Sequence, residues 1–160
     1  MSLRSIIDLP KLARLSRRER RLLTQAVVLL PLTALGLRVV GWGRWHGFLA
    51  RIPPSGRRPP LVTEAELPDR IQVVSRMTGA AAARLPWKAT CLEQSLVLWW
   101  LLRRQGVESE VRFGVRKDDD RFQAHAWVEH PLGILDESPE GEHRFAPFER
   151  PLAGGLSPTA

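Results

Sequence analysis

The stretch PWKATCLEQSLVLWWLLRRQG, residues 86–106, decides the fold. Thr90-Cys91-Leu92-Glu93 fits a capping box, in which a threonine oxygen takes the N–H three residues on and a glutamate reaches back to the threonine N–H. Thr90 is therefore the predicted N-cap and Cys91 the first helical residue. The helix continues through Leu92, Leu96, Trp99, Trp100 and Leu102 to Arg103-Arg104-Gln105, with Gly106 at the C-terminal cap. From Leu96 to Leu102 apolar residues fall almost all round, which predicts a central, buried helix.

Downstream the apolar period changes to alternation. Glu110 to Arg116 reads as a strand with Val111, Phe113 and Val115 on one side, Lys117 to Arg121 as a charged turn, and Phe122 to Glu129 as a second strand. His130-Pro131-Leu132-Gly133 turns into a third at 134–136. Upstream, 64–78 is helix-compatible, with Thr63 as N-cap and Gly79 as stop. A helix followed by antiparallel strands gives an α+β domain.

Residues 12–30 read as a further helix, which Pro31 should end or kink, and 32–50 as another broken by Gly41-Trp42-Gly43. Four prolines and a glycine in 52–60 read as a linker. The expected organisation is thus a basic helical region (1–52), a proline-rich linker (53–60), an α+β core (61–150) and a frayed tail (151–160). At 160 residues, 44% apolar and 26% charged, the chain is of ordinary globular composition.

The net charge of +7 is uneven: residues 1–60 carry 12 Lys/Arg against two Asp/Glu, and the remainder 12 against 15. A solvated arginine-rich face explains this as well as an acidic partner or anionic lipid does. No aromatic residues interleave with the arginines, so nucleic acid is not expected. One cysteine excludes an internal disulfide and a multi-cysteine zinc site. The apolar run from Ala26 to Leu37 is 12 residues, too short to span a bilayer and suited to a buried or surface-lying helix. The N-terminus does not read as a secretory signal. A bacterial cytoplasmic protein, in loose contact with a membrane at most, is the expectation.

A lone cysteine is usually a small buried hydrophobe. In the first turn of a helix, however, it faces unpaired N–H groups and the positive end of the helix dipole, which favour thiolate and can hold an oxyanion. Of the four histidines only His125 lies within a predicted strand, between Ala124 and Ala126, whose small side chains allow close approach to a helix end. A symmetric hairpin through Pro131-Leu132 pairs 129 with 134 and 127 with 136. Asp136 then becomes a diagonal neighbour of His125, where a carboxylate can orient an imidazole. A core histidine and a strand-end aspartate are the plain alternatives, and packing is the plain role of Trp87, Trp99 and Trp100.

Residues 86–96 with 101–106, and Gly114-Val115-Arg116 with Phe122-Gln123-Ala124-His125-Ala126-Trp127-Val128-Glu129 and Gly133, resemble the nucleophile and histidine segments of the lasso peptide leader peptidases. These are bacterial cysteine peptidases of transglutaminase-like (papain-like) fold. The resemblance covers about residues 61–140. It implies Cys91 as nucleophile, His125 as general base and then acid, and Asp136 as orienting carboxylate, with Glu137 in reserve. Trp87 and Trp127 are candidates for the substrate groove or oxyanion site. Gln94 stands where the family more often has arginine, a departure expected to affect a helix surface only.

The implied activity is removal of the leader from a ribosomally made precursor before a separate ATP-dependent lasso cyclase closes the ring, with no metal and no organic cofactor. Residues 1–60 lack the strands of a fused leader-recognition domain, so a separate recognition protein is the expected partner. The basic helices would dock that protein or rest on an anionic membrane. A transglutaminase-like acyltransferase, a non-catalytic binding module of the same fold and a membrane-surface adaptor are the competing readings.

Overall fold

The structure is a computed structural model that describes residues 15–53, 63–118, 121–131, 133–135 and 146–147. Helix α1 (Arg17–Arg51) opens on a capping box: Ser16 Oγ accepts from the Glu19 N–H (3.2 Å), and Glu19 Oε2 accepts from the Ser16 N–H (2.8 Å). Contrary to the sequence expectation, Pro31 neither ends the helix nor divides it. One lost hydrogen bond is outweighed by the buried face on either side of it, with Leu22, Leu23, Ala26 and Leu30 before and Thr33, Ala34 and Leu49 after. The break falls instead at Gly41, whose φ of 77° and ψ of 172° suit glycine and strain any other residue.

Beyond that kink the chain folds onto its own first half. A Cβ at Gly36 would run into the Trp45 ring, so the close approach requires glycine there. Trp42 meets Phe113 edge-on (4.8 Å) and stacks on His46 (4.9 Å), and His46 in turn lies 4.6 Å from Trp99. The linker expected at 53–60 lies, apart from Pro53, outside the described residues, as does the tail.

A 3₁₀ turn (Glu64–Glu66) leads into α2 (Leu67–Ala82), with Pro68 in its first turn. Gly79, expected as a stop, is passed by a turn, because Ala81 beyond it is fully buried and packing carries the helix further. Helix α3 (Cys91–Arg104) is as the sequence predicts. Thr90 Oγ1 accepts from the Glu93 N–H (3.2 Å), Glu93 Oε2 accepts from the Thr90 N–H (3.0 Å), and Gln105 with Gly106 closes the helix.

Strands β1 (Glu110–Asp118), β2 (Arg121–His130), β3 (Gly133–Ile134) and β4 (Ala146–Pro147) form an antiparallel sheet in the order β3-β2-β1-β4. The β1–β2 ladder runs unbroken from Glu110↔Glu129 to Asp118↔Arg121. Both strands therefore extend into what the sequence suggests is a charged turn: cross-strand pairing overrides local polarity there. The third strand pairs Glu129 with Ile134, the register of the symmetric hairpin. The α+β class expected from the sequence is the one observed.

Helix α3 lies at the centre, touching α1, α2 and the sheet. Ser95 to Leu102 are all buried, and Ser95 Oγ donates to the Ala126 carbonyl of β2 (3.0 Å). Leu22 and Leu30 of α1, Val74 of α2, Leu96, Leu101 and Leu102 of α3 and Val128 of β2 share one apolar cluster. Helix α1 thus contributes to the same core as α3. By length and composition it is also long enough, over an 18-residue stretch, to cross a membrane, with 33% of that stretch buried in the protein. The apolar run read from the sequence, Ala26 to Leu37, ends at Arg38, whereas the helix itself continues past Arg38.

Candidate active site

The cap at Thr90 fixes the start of α3 and with it the surroundings of Cys91. A helix leaves its first N–H groups without carbonyl acceptors. Here the Glu93 N–H goes to Thr90 Oγ1 and the Gln94 N–H to the Thr90 carbonyl (3.1 Å). Among the described residues nothing takes the N–H of Cys91 or Leu92, so the positive end of the helix dipole is left at the sulfur. Cys91 is half-buried.

Cys91 opens into a cleft of about 610 Å³, and His125 lines the same cleft from β2. His125 is half-buried, pairs across the ladder with Gly114, and its ring lies parallel to that of Trp127 with centroids 6.2 Å apart. The cross-strand partner Gly114 adds no side chain on the face that carries the imidazole. The other histidines are elsewhere: His46 is packed between Trp42 and Trp99, and His130 lines a separate depression with Arg112 and Glu129. His143 lies outside the described residues.

The floor of the cleft is polar but internally satisfied. Ser75 Oγ donates to the Leu135 carbonyl (3.2 Å), Thr78 Oγ1 to the Val74 carbonyl (2.9 Å), and Ser95 to Ala126. Ser75, Thr78 and Gly79 present one face of α2 to the cleft at i, i+3 and i+4. Small residues at that spacing were the signal that could have found this wall in the sequence. Gln94 also lines the cleft, one turn after Cys91, and its Nε2 donates to the Ala89 carbonyl (3.0 Å). The expectation that position 94 affects only a helix surface is thereby corrected: i and i+3 share a face, and this face is the one that carries the sulfur.

The tryptophans divide. Trp87 is 40% exposed and lines an adjoining depression of about 430 Å³, which shares Gly79, Lys88, Ala89 and Gln94 with the cleft. Trp127 is buried behind His125, and its indole N–H has no acceptor among the described residues. Asp136 and Glu137 lie outside the described residues, which stop at Leu135 and resume at Ala146. No group of three or more His, Cys, Asp or Glu among the described residues is arranged to hold a metal ion.

A helix capped just before its cysteine, a histidine on the second strand after it and an antiparallel sheet are compatible with a cysteine acyl-transfer fold. A family model for the transglutaminase-like superfamily matches residues 26–150. The chain belongs to the transglutaminase-like superfamily. The match begins inside α1, in keeping with the shared core. No curated protein and no solved structure matches the chain. Membership of the transglutaminase-like superfamily fits an activity of the cysteine peptidase or acyltransferase kind.

Proposed function

We propose that this protein is a cysteine endopeptidase that removes the leader from a ribosomally made lasso peptide precursor, ahead of ATP-dependent ring closure by a separate cyclase. The observation that carries the reading is the single cleft into which both Cys91 and His125 open. The lasso assignment rests further on the resemblance of residues 86–106 and 114–133 to that peptidase family.

In this mechanism the Cys91 thiolate attacks the carbonyl carbon of the leader–core bond, and the N–H of Cys91 holds the resulting oxyanion. His125 gives its proton to the departing amine nitrogen, the C–N bond breaks and the core peptide leaves. His125 then takes a proton from water as the hydroxyl attacks the thioester. The C–S bond breaks, the leader departs as a carboxylate, and the thiolate is restored.

Asp136 is proposed as the carboxylate that orients His125. Its neighbour Leu135 donates its N–H to the Val128 carbonyl (2.8 Å) and accepts from Ser75, a residue of the cleft wall. The Glu129↔Ile134 register, carried two residues further, would set 136 opposite 127 and diagonal to His125. Residues 17–51, being helical, offer no strand with which to hold a leader, so leader capture is assigned to a separate recognition protein.

The test is incubation of the protein with a precursor peptide and the recognition protein encoded beside it, with products read by mass. Wild type should give one leader–core cut. Cys91→Ala should abolish it, and His125→Ala should slow it by about 10²–10⁴-fold. A cut that survives Cys91→Ala sinks the proposal. A leader joined to an added amine in place of water would reassign the chemistry to acyl transfer.

A further inference from the structure

Seven of the eight large apolar side chains that stand exposed among the described residues belong to one helix, α1. Four of them, Val28 (53% exposed), Leu32 (48%), Leu35 (59%) and Val39 (71%), recur at i, i+4, i+7 and i+11 and so form one line along the helix. At about 1.5 Å per residue the line is about 16 Å long. The opposite side of the helix carries Leu22, Ala26, Leu30 and Thr33, which are buried in the core. A helix apolar on all sides is normally covered on all sides. Here the protein covers one side only.

The charge beside this line indicates what meets it. Followed toward the N-terminus, the same line passes Thr24, Arg21 and Arg17, all exposed. Helix α1 holds seven arginines and a single acid, Glu19, which is already engaged by Ser16 and Arg76. Among the described residues no carboxylate pairs with Arg17, Arg20, Arg21 or Arg38, all of them exposed. The line itself is purely aliphatic, with no aromatic anchor and no hydrogen-bonding group between Val28 and Val39. A protein partner ordinarily supplies or demands both. A bilayer interface demands neither: it takes aliphatic side chains into the acyl boundary and guanidinium groups at the phosphates.

The geometry points to α1 as a lipid-docking surface: the Val28–Leu32–Leu35–Val39 line lies on an anionic membrane, with the arginines at its N-terminal end against the headgroups. The helix lies on the membrane and does not cross it, since its other side is held in the core by α2 and α3. The catalytic cleft is lined by α2, α3 and β2 without α1, and so stays open to a peptide while the protein is docked. This inference does not rest on the peptidase reading, because lipid binding and cleavage are separate readouts.

The experiment is co-sedimentation of the full chain with vesicles of phosphatidylcholine plus phosphatidylglycerol, and with vesicles of phosphatidylcholine alone. Wild type should partition onto the anionic vesicles and be released by high salt. Leu32→Asp/Leu35→Asp should weaken partitioning by more than about tenfold, and Arg17→Ser/Arg21→Ser by about tenfold. Both substituted pairs are exposed, so far-UV circular dichroism and thermal midpoints should match wild type. Absence of partitioning by folded wild type overturns the proposal, and so does partitioning that survives Leu32→Asp/Leu35→Asp. A vesicle-free dimer, or a complex with the recognition protein, that Leu35→Asp dissolves while lipid is ignored would assign the face to protein and overturn it as well.

Discussion

Helices α1 and α3 begin with the same device, a hydroxyl cap closed by a glutamate three residues on, and both are apolar nearly all round. Helix α3 is enclosed by α1, α2 and the sheet, so only its first turn, with Cys91, and its last, with Arg103 and Arg104, meet solvent. Helix α1 is enclosed on one side and presents aliphatic side chains on the other. The same local signals thus yield a central buried helix in one case and a half-bare surface helix in the other. The number of partners makes the difference, and propensity does not reveal it.

The sharpest way to break this comparison is to delete side chains from both helices. Leu102→Ala in α3 should cost about 2–5 kcal/mol, and so should Leu22→Ala on the covered side of α1, whereas Leu35→Ala on its bare side should stay within about 0.5 kcal/mol. Urea denaturation measures all three. Near-neutral Leu22→Ala would mean that α1 is an appendage and not part of the core.

The caps sharpen it further. Ser16→Ala and Thr90→Ala should each cost about 1 kcal/mol. Only Thr90→Ala should also depress precursor cleavage, since Thr90 fixes the turn that carries Cys91. Equal effects of both on cleavage would show that the position of the cap is not what matters.

The smallest effect concerns pH. Burial between Trp42 and Trp99, and then the nearby Arg103, hold the His46 pKa below its ordinary value of 6.5. The unfolded chain therefore takes up a proton that the folded chain resists. The contribution of His46 to stability is whole above pH 6.5 and is lost as pH falls through the window between 6.5 and the depressed folded value. His46→Phe keeps an aromatic ring there and should flatten the dependence of the urea midpoint on pH in that window. A slope identical to wild type would contradict the burial of His46 in its neutral form.

Much of this was legible in the sequence, for particular reasons. The Thr90–Glu93 box and Gly106 are local signals at both ends of α3, and local signals set helix ends. The alternation in 110–129 and the short turn at 131–132 determined the sheet and its Glu129↔Ile134 register. The misread positions share one kind of cause: a contact made elsewhere in the chain, by burial or by strand pairing, overrode a local preference. Pro31 continues a helix because the core holds both sides of it, Gly79 because Ala81 is buried beyond it, and Lys117 and Asp118 are strand because β2 pairs with them. At the candidate site, the placement of Cys91 at a helix start and of His125 within a strand was readable from cap and alternation. The wall made by Ser75, Thr78 and Gly79 and the part played by Gln94 were not, because they depend on how α2 and α3 pack.

The hydrogen bond from Ser95 to the Ala126 carbonyl acts as a gauge block between the helix that carries Cys91 and the strand that carries His125. Ser95 stands one helical turn after Cys91, and Ala126 is the residue next to His125, so a single 3.0 Å contact sets the offset of thiol from imidazole. Because the acceptor is a backbone carbonyl, the gauge reads strand register and not side-chain identity. A slip of β2 by one residue would turn His125 to the other face of the sheet and, in the same step, take the carbonyl away from Ser95. Misassembly of the site and loss of that bond are one event, so a chain that folds with the wrong register is also the less stable one.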